Sequence, residues 1–388
     1  MYKIKTLNKI SPHGLDRFDK KYYTYGDDME NPDAIMVRSA SMHDMELPTS
    51  LKAIARAGAG VNNIPLDKCT EKGIVVFNTP GANANAVKEL TLCALLLSAR
   101  DVVGGIEWER TLAGTENAAK AAEAGKSRFA GEELAGKTLG VIGLGAIGGM
   151  VANAAEALGM QVIGCDPFLS VDAAWSLNRQ VRHAASYEEV YQKADYITLH
   201  VPATPQTKNM ICAKTLAMMK DGVRIINMAR GDLVNTKDLL EALGSGKVSR
   251  YVTDFAADEM LGEPKVVAMP HLGASTEEAE ENCARMAAKQ LDAFLRYGVI
   301  RNSVNYPDVE PSKPDGTRIV LLHENIPAMI ANITAILGGR GINIENLLNK
   351  SKKDYAVTIV DFHAKADAVM QEELQKIPRM LRVRVIGE

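Results

Sequence analysis

The chain has 388 residues, enough for two or three domains at about 100–200 residues each. Lys+Arg 45 against Asp+Glu 48 leaves a net charge of -3, and 24% charged with 46% hydrophobic residues is ordinary globular composition. That balance excludes a strongly basic nucleic-acid binder and a disordered acidic tail, and 5% aromatics are too few for a base-stacking platform.

The N-terminal run MYKIKTLNKISPHGLDR lacks the apolar core of a signal peptide. The longest apolar run, Leu90–Ala99, is too short to span a bilayer, so no membrane partner is expected. Residues 33–82 alternate apolar runs (DAIMVRSA, LKAIARAGAG, GIVVFNTPGA) with glycine-containing turns, the pattern of a parallel sheet covered by helices. A helix from about 86 to 100 and a polar, alanine-rich stretch over 104–128 follow. Strand-like segments then recur at GKTLGVIG, QVIGCDP, ADYITLHVP, VRIINMARG, RYVTDFAA and KVVAMPH, which predicts a second doubly wound unit. A helix over 275–297 starts at a Ser/Thr cap and stops at Gly298.

Residues 305–316 hold Pro307, Pro311 and Pro314 without apolar periodicity, and read as a linker. Residues 317–388 follow the order βαββαβ, a ferredoxin-like arrangement. Its last strand predicts Leu381, Val383 and Val385 inward and Arg382 and Arg384 outward. The expected fold class is therefore α/β: two doubly wound parallel-sheet (Rossmann and flavodoxin-like) domains plus a small ferredoxin-like βαββαβ domain. Cys69, Cys93, Cys165, Cys212 and Cys283 form no CxxC pair; they read as thiols in a reducing compartment, without a metal site, and a cytoplasmic location is expected.

Gly143, Gly145 and Gly148 form a GxGxxG turn between an apolar strand and a helix, and Asp166 ends the next strand, 23 residues after Gly143. Glycines permit the tight turn and the approach of a pyrophosphate, whose charge the helix N-terminus favours. A carboxylate at Asp166 accepts hydrogen bonds from ribose hydroxyls and repels a 2′-phosphate, so NAD is expected over NADP. The bland alternatives are a glycine-rich turn and a turn acid before proline.

Three further segments each follow a predicted strand of this unit: NMARG with Arg230, DFAADE with Asp254 and Glu259, and PHLGAST with His271. Arginine grips carboxylates through its planar fork, and histidine suits proton transfer near neutral pH. Taken singly, Arg230 is equally a surface charge, Glu259 a solvated loop acid and His271 a strand-end residue.

In that order, these motifs and LHVPATPQTKNMI resemble the D-2-hydroxyacid dehydrogenases over about residues 35–305. The resemblance implies that Arg230 orients a substrate carboxylate, His271 is the acid/base and Glu259 its partner. It also implies that Asp254 meets the nicotinamide amide, and that Ala146, Ile147, Thr207, Met228, Ala229, Gly273 and Ala274 contact the cofactor. His200 is read as structural. Met260 stands where proline often follows the catalytic acid, and VN at 234–235 replaces VD.

Within the family, MVRSA, RAGAGVNNI and NTPGANANAVKEL look most like the phosphoglycerate dehydrogenase branch. That implies oxidation of 3-phospho-D-glycerate to 3-phosphooxypyruvate in L-serine synthesis. Arg38, Ser39, Arg56, Gly60 and Val61 are then substrate-binding, although both arginines also read as surface charges. Asn62 and Ala59 depart from the branch's common aspartate and threonine.

Residues 317–388 resemble an ACT module, implying an L-serine effector held by His323, Asn325 and Asn343, and a homo-oligomer (dimer or tetramer). A purely structural dimerisation module is the alternative there. Ala328 replaces the module's usual glycine. The implied domains are 1–98 with 285–304 (substrate), 99–284 (NAD), 305–316 (linker) and 317–388 (regulatory). Hydroxypyruvate or glyoxylate reduction, and a non-enzymatic NAD-sensing scaffold, are the rival readings.

Overall fold

The computed structural model describes residues 1–387 and divides them into two compact units, Met1–Asn83 with Glu277 onward, and Ala84–Thr276. The first unit holds a parallel sheet of β1 (Tyr2–Leu7), β2 (Tyr23–Gly26), β3 (Ala34–Val37), β4 (Ala53–Arg56) and β5 (Val75–Phe77) in the order β2-β1-β3-β4-β5. This is the flavodoxin-like order. β3 and β5 are buried throughout, as continuous apolar runs in a sheet covered on both faces must be. The opening pair β1 and β2 lies outside the expected elements; β1 alternates, burying Ile4 and Thr6, with Lys3 and Lys5 on the other face.

The second unit contains β6 (Thr138–Ile142), β7 (Gln161–Cys165), β8 (Arg182–His183), β9 (Tyr196–Leu199), β10 (Val223–Asn227), β11 (Val248–Thr253) and β12 (Val266–Ala268). Their order, β12-β11-β10-β9-β6-β7-β8, is the Rossmann order extended by one strand, and all pairs are parallel. The switch point lies between β6 and β9, where ligands collect in such sheets. Caps define the helices: Asn235 accepts from the Asp238 N–H at 3.1 Å, and Gly246 closes the same helix with φ +82°. Helix Ala84–Ala99, expected in the first domain, belongs to this unit.

The first unit also contains β13 (Thr317–Glu324), β14 (Asn346–Lys352), β15 (Tyr355–Phe362) and β16 (Met380–Ile386), antiparallel in the order β14-β15-β13-β16. Two helices, Met329–Gly339 and Ala368–Gln375, pack Met329, Ile333, Leu337, Met370 and Leu374 on Ile319 and Leu321. This is the expected βαββαβ arrangement. Three expectations change around it.

Residues 305–316 do not form a free linker. Tyr306 and Val309 are buried, the Tyr306 hydroxyl donates to Thr70 O (2.7 Å), and Asn305 bonds Val76 N and Ile74 O. Secondly, helix Glu277–Tyr297 lies entirely with the first unit, not split at 285. Thirdly, Arg382 and Arg384 do not face water, because the sheet face bearing Val320, Leu322, Val357 and Ile359 packs on Phe294, Leu295 and Tyr306. On that face Arg384 donates to Phe294 O and Leu295 O (3.5 and 3.1 Å) and lies over the Phe294 ring; Arg382 donates to Thr49 O and Lys72 O. The Phe294 and Leu295 carbonyls lie at the partly negative end of the helix, so a buried cation is stabilised there. Burial pushes Arg384 down to about 10. Beside it Arg318, fully buried, forms a two-pronged pair with Asp361 (2.6 and 2.7 Å) and reaches Tyr297 O.

Ala328 precedes helix Met329–Gly339 at φ +65°, a left-handed conformation that costs an L-residue roughly 1–2 kcal/mol. Ala328→Gly is expected to stabilise the protein by about 0.5–1 kcal/mol, read as a higher denaturant midpoint at unchanged slope. An unchanged or lowered midpoint contradicts the strain.

Candidate active site

In the second unit the turn after β6 builds a dinucleotide cradle. Gly143 has φ +90°, and a side chain there would meet the His200 carbonyl at 2.6 Å. A side chain on Gly148 would collide with Gly143 O, so the helix Ala146–Ala157 approaches β6 only because both are glycine. Gly145 and Ala146 are exposed, and a Cβ on Gly145 would meet nothing within 4 Å. The first turn, with Ile147, therefore offers its N–H groups to open space, as a pyrophosphate requires.

Asp166 accepts from Leu144 N and Phe168 N, both at 2.9 Å, which fixes its carboxylate beside the cradle. Asp166→Ala is expected to raise the KM for NAD by about 10- to 100-fold, the worth of a lost charge-assisted hydrogen bond, and to narrow the preference over NADP. Unaltered selectivity in initial-rate assays refutes the role.

On the other side of the switch point, His200 Nε2 lies 2.9 Å from Thr198 Oγ1, and burial pushes its imidazole down to about 4. It is a neutral wall of the cradle. The Thr207 hydroxyl is engaged within its own loop, donating to Pro202 O and accepting from Thr204 N, so it holds the loop's shape.

The candidate reacting groups stand at the carboxyl ends of β10, β11 and β12. Buried Asn227 ends β10; it donates to Arg230 O, accepts from Ala229 N and bonds the Tyr251 hydroxyl, which sets the path of Met228, Ala229 and Arg230. Arg230 itself is exposed, its guanidinium centred 5.7 Å from the Phe255 ring. His271 packs on the same ring, with centroids 4.4 Å apart. Phe255 thus carries both the guanidinium and the imidazole, a role that sequence reasoning missed because DFAADE drew attention to its acids.

Asp254, 3% exposed, accepts from Gly273 N (2.9 Å) through Oδ2, and its Oδ1 has no partner. Burial pushes the carboxyl above its ordinary value, opposed by the Gly273 N–H and the charges of His271 and Arg230. An orphaned buried acceptor beside the cradle suits an amide N–H of a nicotinamide. Gly273 is buried against Val87 and Ala274 is half-buried next to it. The residues present fit NAD.

Glu259 is different. It lies exposed on the short turn Asp258–Met260, and no ion pair joins it to His271 among the described residues. The carboxylate whose field acts together with His271 is Asp254. The connection from Glu259 to β12 is short, and buried Met260 pins its turn to the domain core, which leaves the acid outside. Among the described residues no group of three or more His, Cys, Asp or Glu could hold a metal.

In the first unit, Arg38 follows β3 and Arg56 ends β4, both at the carboxyl edge of the sheet. Arg56 Nε donates to Arg38 O at 3.0 Å, and Arg38 Nη2 pairs with Glu280 Oε1 at 2.6 Å. Exposed Ser39 is held through its N–H by Asn8, while Gly60 and Val61 are half-buried in the loop after β4. Sequence reasoning gave Glu280 no role, since it is one of three acids in the first turn of helix Glu277–Tyr297.

The effector expectation changes in one residue. His323 is 2% exposed, with Nδ1 at 2.7 Å from Glu324 O and Nε2 at 2.8 Å from Thr358 Oγ1, so both ring nitrogens are spent inside the sheet. Its place on the helix-covered face of β13 makes it a core histidine. Asn325 and Asn343 are exposed, donating to Lys353 O and Glu345 respectively.

Residues 105–273 match the family described as D-isomer specific 2-hydroxyacid dehydrogenase, NAD binding domain. The D-3-phosphoglycerate dehydrogenases of Methanocaldococcus jannaschii and Bacillus subtilis are 36% and 34% identical over 346 and 331 residues, 84% and 79% of this chain. Residues 105–273 therefore form a D-2-hydroxyacid dehydrogenase NAD-binding domain. The chain spans 62% and 59% of the length of those two relatives. The NAD+-bound 3-phosphoglycerate dehydrogenase of Entamoeba histolytica is similar in fold, with TM-score 0.60 and 25% identity over 78% of this chain and 98% of that one. The family match covers the glycine turn, Asp166, Arg230, Asp254, Glu259 and His271. No helix among the described residues is long and apolar enough to cross a membrane.

Proposed function

We propose that the chain is an NAD-dependent dehydrogenase oxidising 3-phospho-D-glycerate to 3-phosphooxypyruvate, the entry to L-serine synthesis. The observation that carries the reading is His271 and Arg230 on one aromatic ring, beside the buried Asp254 and at the strand ends of a Rossmann sheet. The names of the relatives support the substrate.

Arg230 holds the substrate carboxylate through its fork and so fixes C2 in one orientation. His271 takes the C2 hydroxyl proton onto its imidazole. Bound on the glycine turn, NAD would supply the acceptor for the hydride that leaves C2. Asp254 Oδ1 would hold the nicotinamide amide, and the carboxyl stabilises the positive charge that forms on His271. Glu259 as the partner of His271 rests on the family resemblance alone. Arg38 and Arg56 grip the phosphate, with Ser39, Gly60 and Val61 shaping the loops around it.

The residues 317–387 sheet is read as a serine-responsive module using Asn325 and Asn343, with pairing of these modules between subunits of a homo-oligomer. Five free cysteines suit a reducing cytoplasm.

Initial rates of NAD reduction across 2-hydroxy acids, with and without a terminal phosphate and with and without L-serine, test this reading. Highest kcat/KM for 3-phosphoglycerate is expected. Preference for an unphosphorylated acid assigns the chain to another branch of the family, and no turnover of any acid favours a scaffold.

A further inference from the structure

The pair between Arg38 and Glu280 places a carboxylate on one of the two guanidiniums assigned to the phosphate. Glu280 sits in the first turn of helix Glu277–Tyr297, and its Oε1 is 2.6 Å from Arg38 Nη2, with both side chains about 40% exposed. The helix does not need Glu280 to complement its N-terminus, because Glu277 and Glu278 stand in the same turn. Nor does the core need the pair, since exposed ion pairs contribute little to stability. One turn further on, Cys283 is buried in the field of Arg56, Arg38 and Glu280 together, so all four side chains form one cluster at the carboxyl edge of the sheet.

Arg56 has a fixed place in that cluster. Its Nε is spent on Arg38 O, and Gly58 makes room for its guanidinium, since a Cβ there would collide with Nη1. Arg38 therefore carries the adjustable contact, and its present partner is an anion supplied by the chain itself.

We propose that Glu280 is a specificity-determining residue: an internal counter-ion that the substrate's phosphate must displace from Arg38. The inference rests on the assignment of Arg38 to phosphate. A phosphate dianion offers three oxygens to the guanidinium fork and outcompetes a single carboxylate, whereas a neutral hydroxymethyl or methyl group does not. With Glu280 in place Arg38 stays neutralised for substrates lacking the second anion, and phosphate affinity is tempered by the exchange.

The test compares the whole protein with Glu280→Gln, which keeps the size and removes the charge, and Glu280→Asp, which shortens the reach. In both variants the KM for 3-phosphoglycerate is expected to fall about three- to fivefold, the scale of a partly exposed ion pair, with kcat unchanged and the KM for D-glycerate unmoved. Binding of inorganic phosphate, followed by its thermal upshift against chloride at equal ionic strength, should tighten by the same factor. Arg38→Gln combined with Glu280→Gln should erase that gain.

Equal KM changes for both acids, or phosphate affinity unchanged or weakened, overturn the inference. Phosphate affinity is read without turnover. A protein inactive on 3-phosphoglycerate whose phosphate binding nevertheless tightens in Glu280→Gln contradicts the proposed substrate and leaves the counter-ion standing.

Discussion

His271→Ala is expected to lower kcat by about two to four orders of magnitude, the usual worth of a positioned general base. The imidazole rests on Phe255 with ring centroids 4.4 Å apart, at the exposed end of β12, and it is the histidine beside Arg230 and Asp254. His200 does not substitute for it, because it is bonded to Thr198 and held neutral in the cradle wall. Removing His271 leaves the glycine turn and Asp166 intact, so the Kd of NADH, read by fluorescence, should stay within about twofold. Normal turnover eliminates His271 as the base.

Arg230→Ala should lower kcat/KM by roughly 10- to 100-fold, the loss of one or two charge-assisted hydrogen bonds to the substrate carboxylate at about 1.5–3 kcal/mol. Arg230→Lys keeps the charge but loses the fork, and is expected to recover only part of that loss. Asn227 holds the main chain at Ala229 and Arg230, so the backbone should survive either change and cofactor affinity should not follow kcat/KM. A loss of NADH binding equal to the loss of kcat/KM would make Arg230 a structural residue.

The parts legible from sequence are those in which a local pattern specifies a backbone. The GxGxxG turn, the strand before it and Asp166 after the next strand predict a geometry that Gly143 and Gly148 then adopt. The βαββαβ order of residues 317–387 is legible for the same reason, from its strand and helix periodicities. Other features depend on packing between distant segments. Arg384 alternates correctly for an outward residue, yet it is buried because that sheet face packs on the carboxyl end of helix Glu277–Tyr297, whose Phe294 and Leu295 carbonyls accept from it. His323 stands in a motif that promised a ligand and is consumed by Thr358, a strand away. Glu259 has its place in the motif order but not a contact with His271, and Phe255, next to Asp254, has the contacts without a motif to announce them.

The hydride that reduces the cofactor should originate at C2 of the substrate. 3-Phospho-D-glycerate carrying deuterium on C2 should be incubated with NAD and a stoichiometric amount of the protein, and the reduced cofactor analysed by mass. Deuterium on the nicotinamide ring, in a yield matching the oxo acid formed and lost with His271→Ala, is the predicted result; reduced cofactor without deuterium, or none at all from an intact NAD-binding protein, would contradict it.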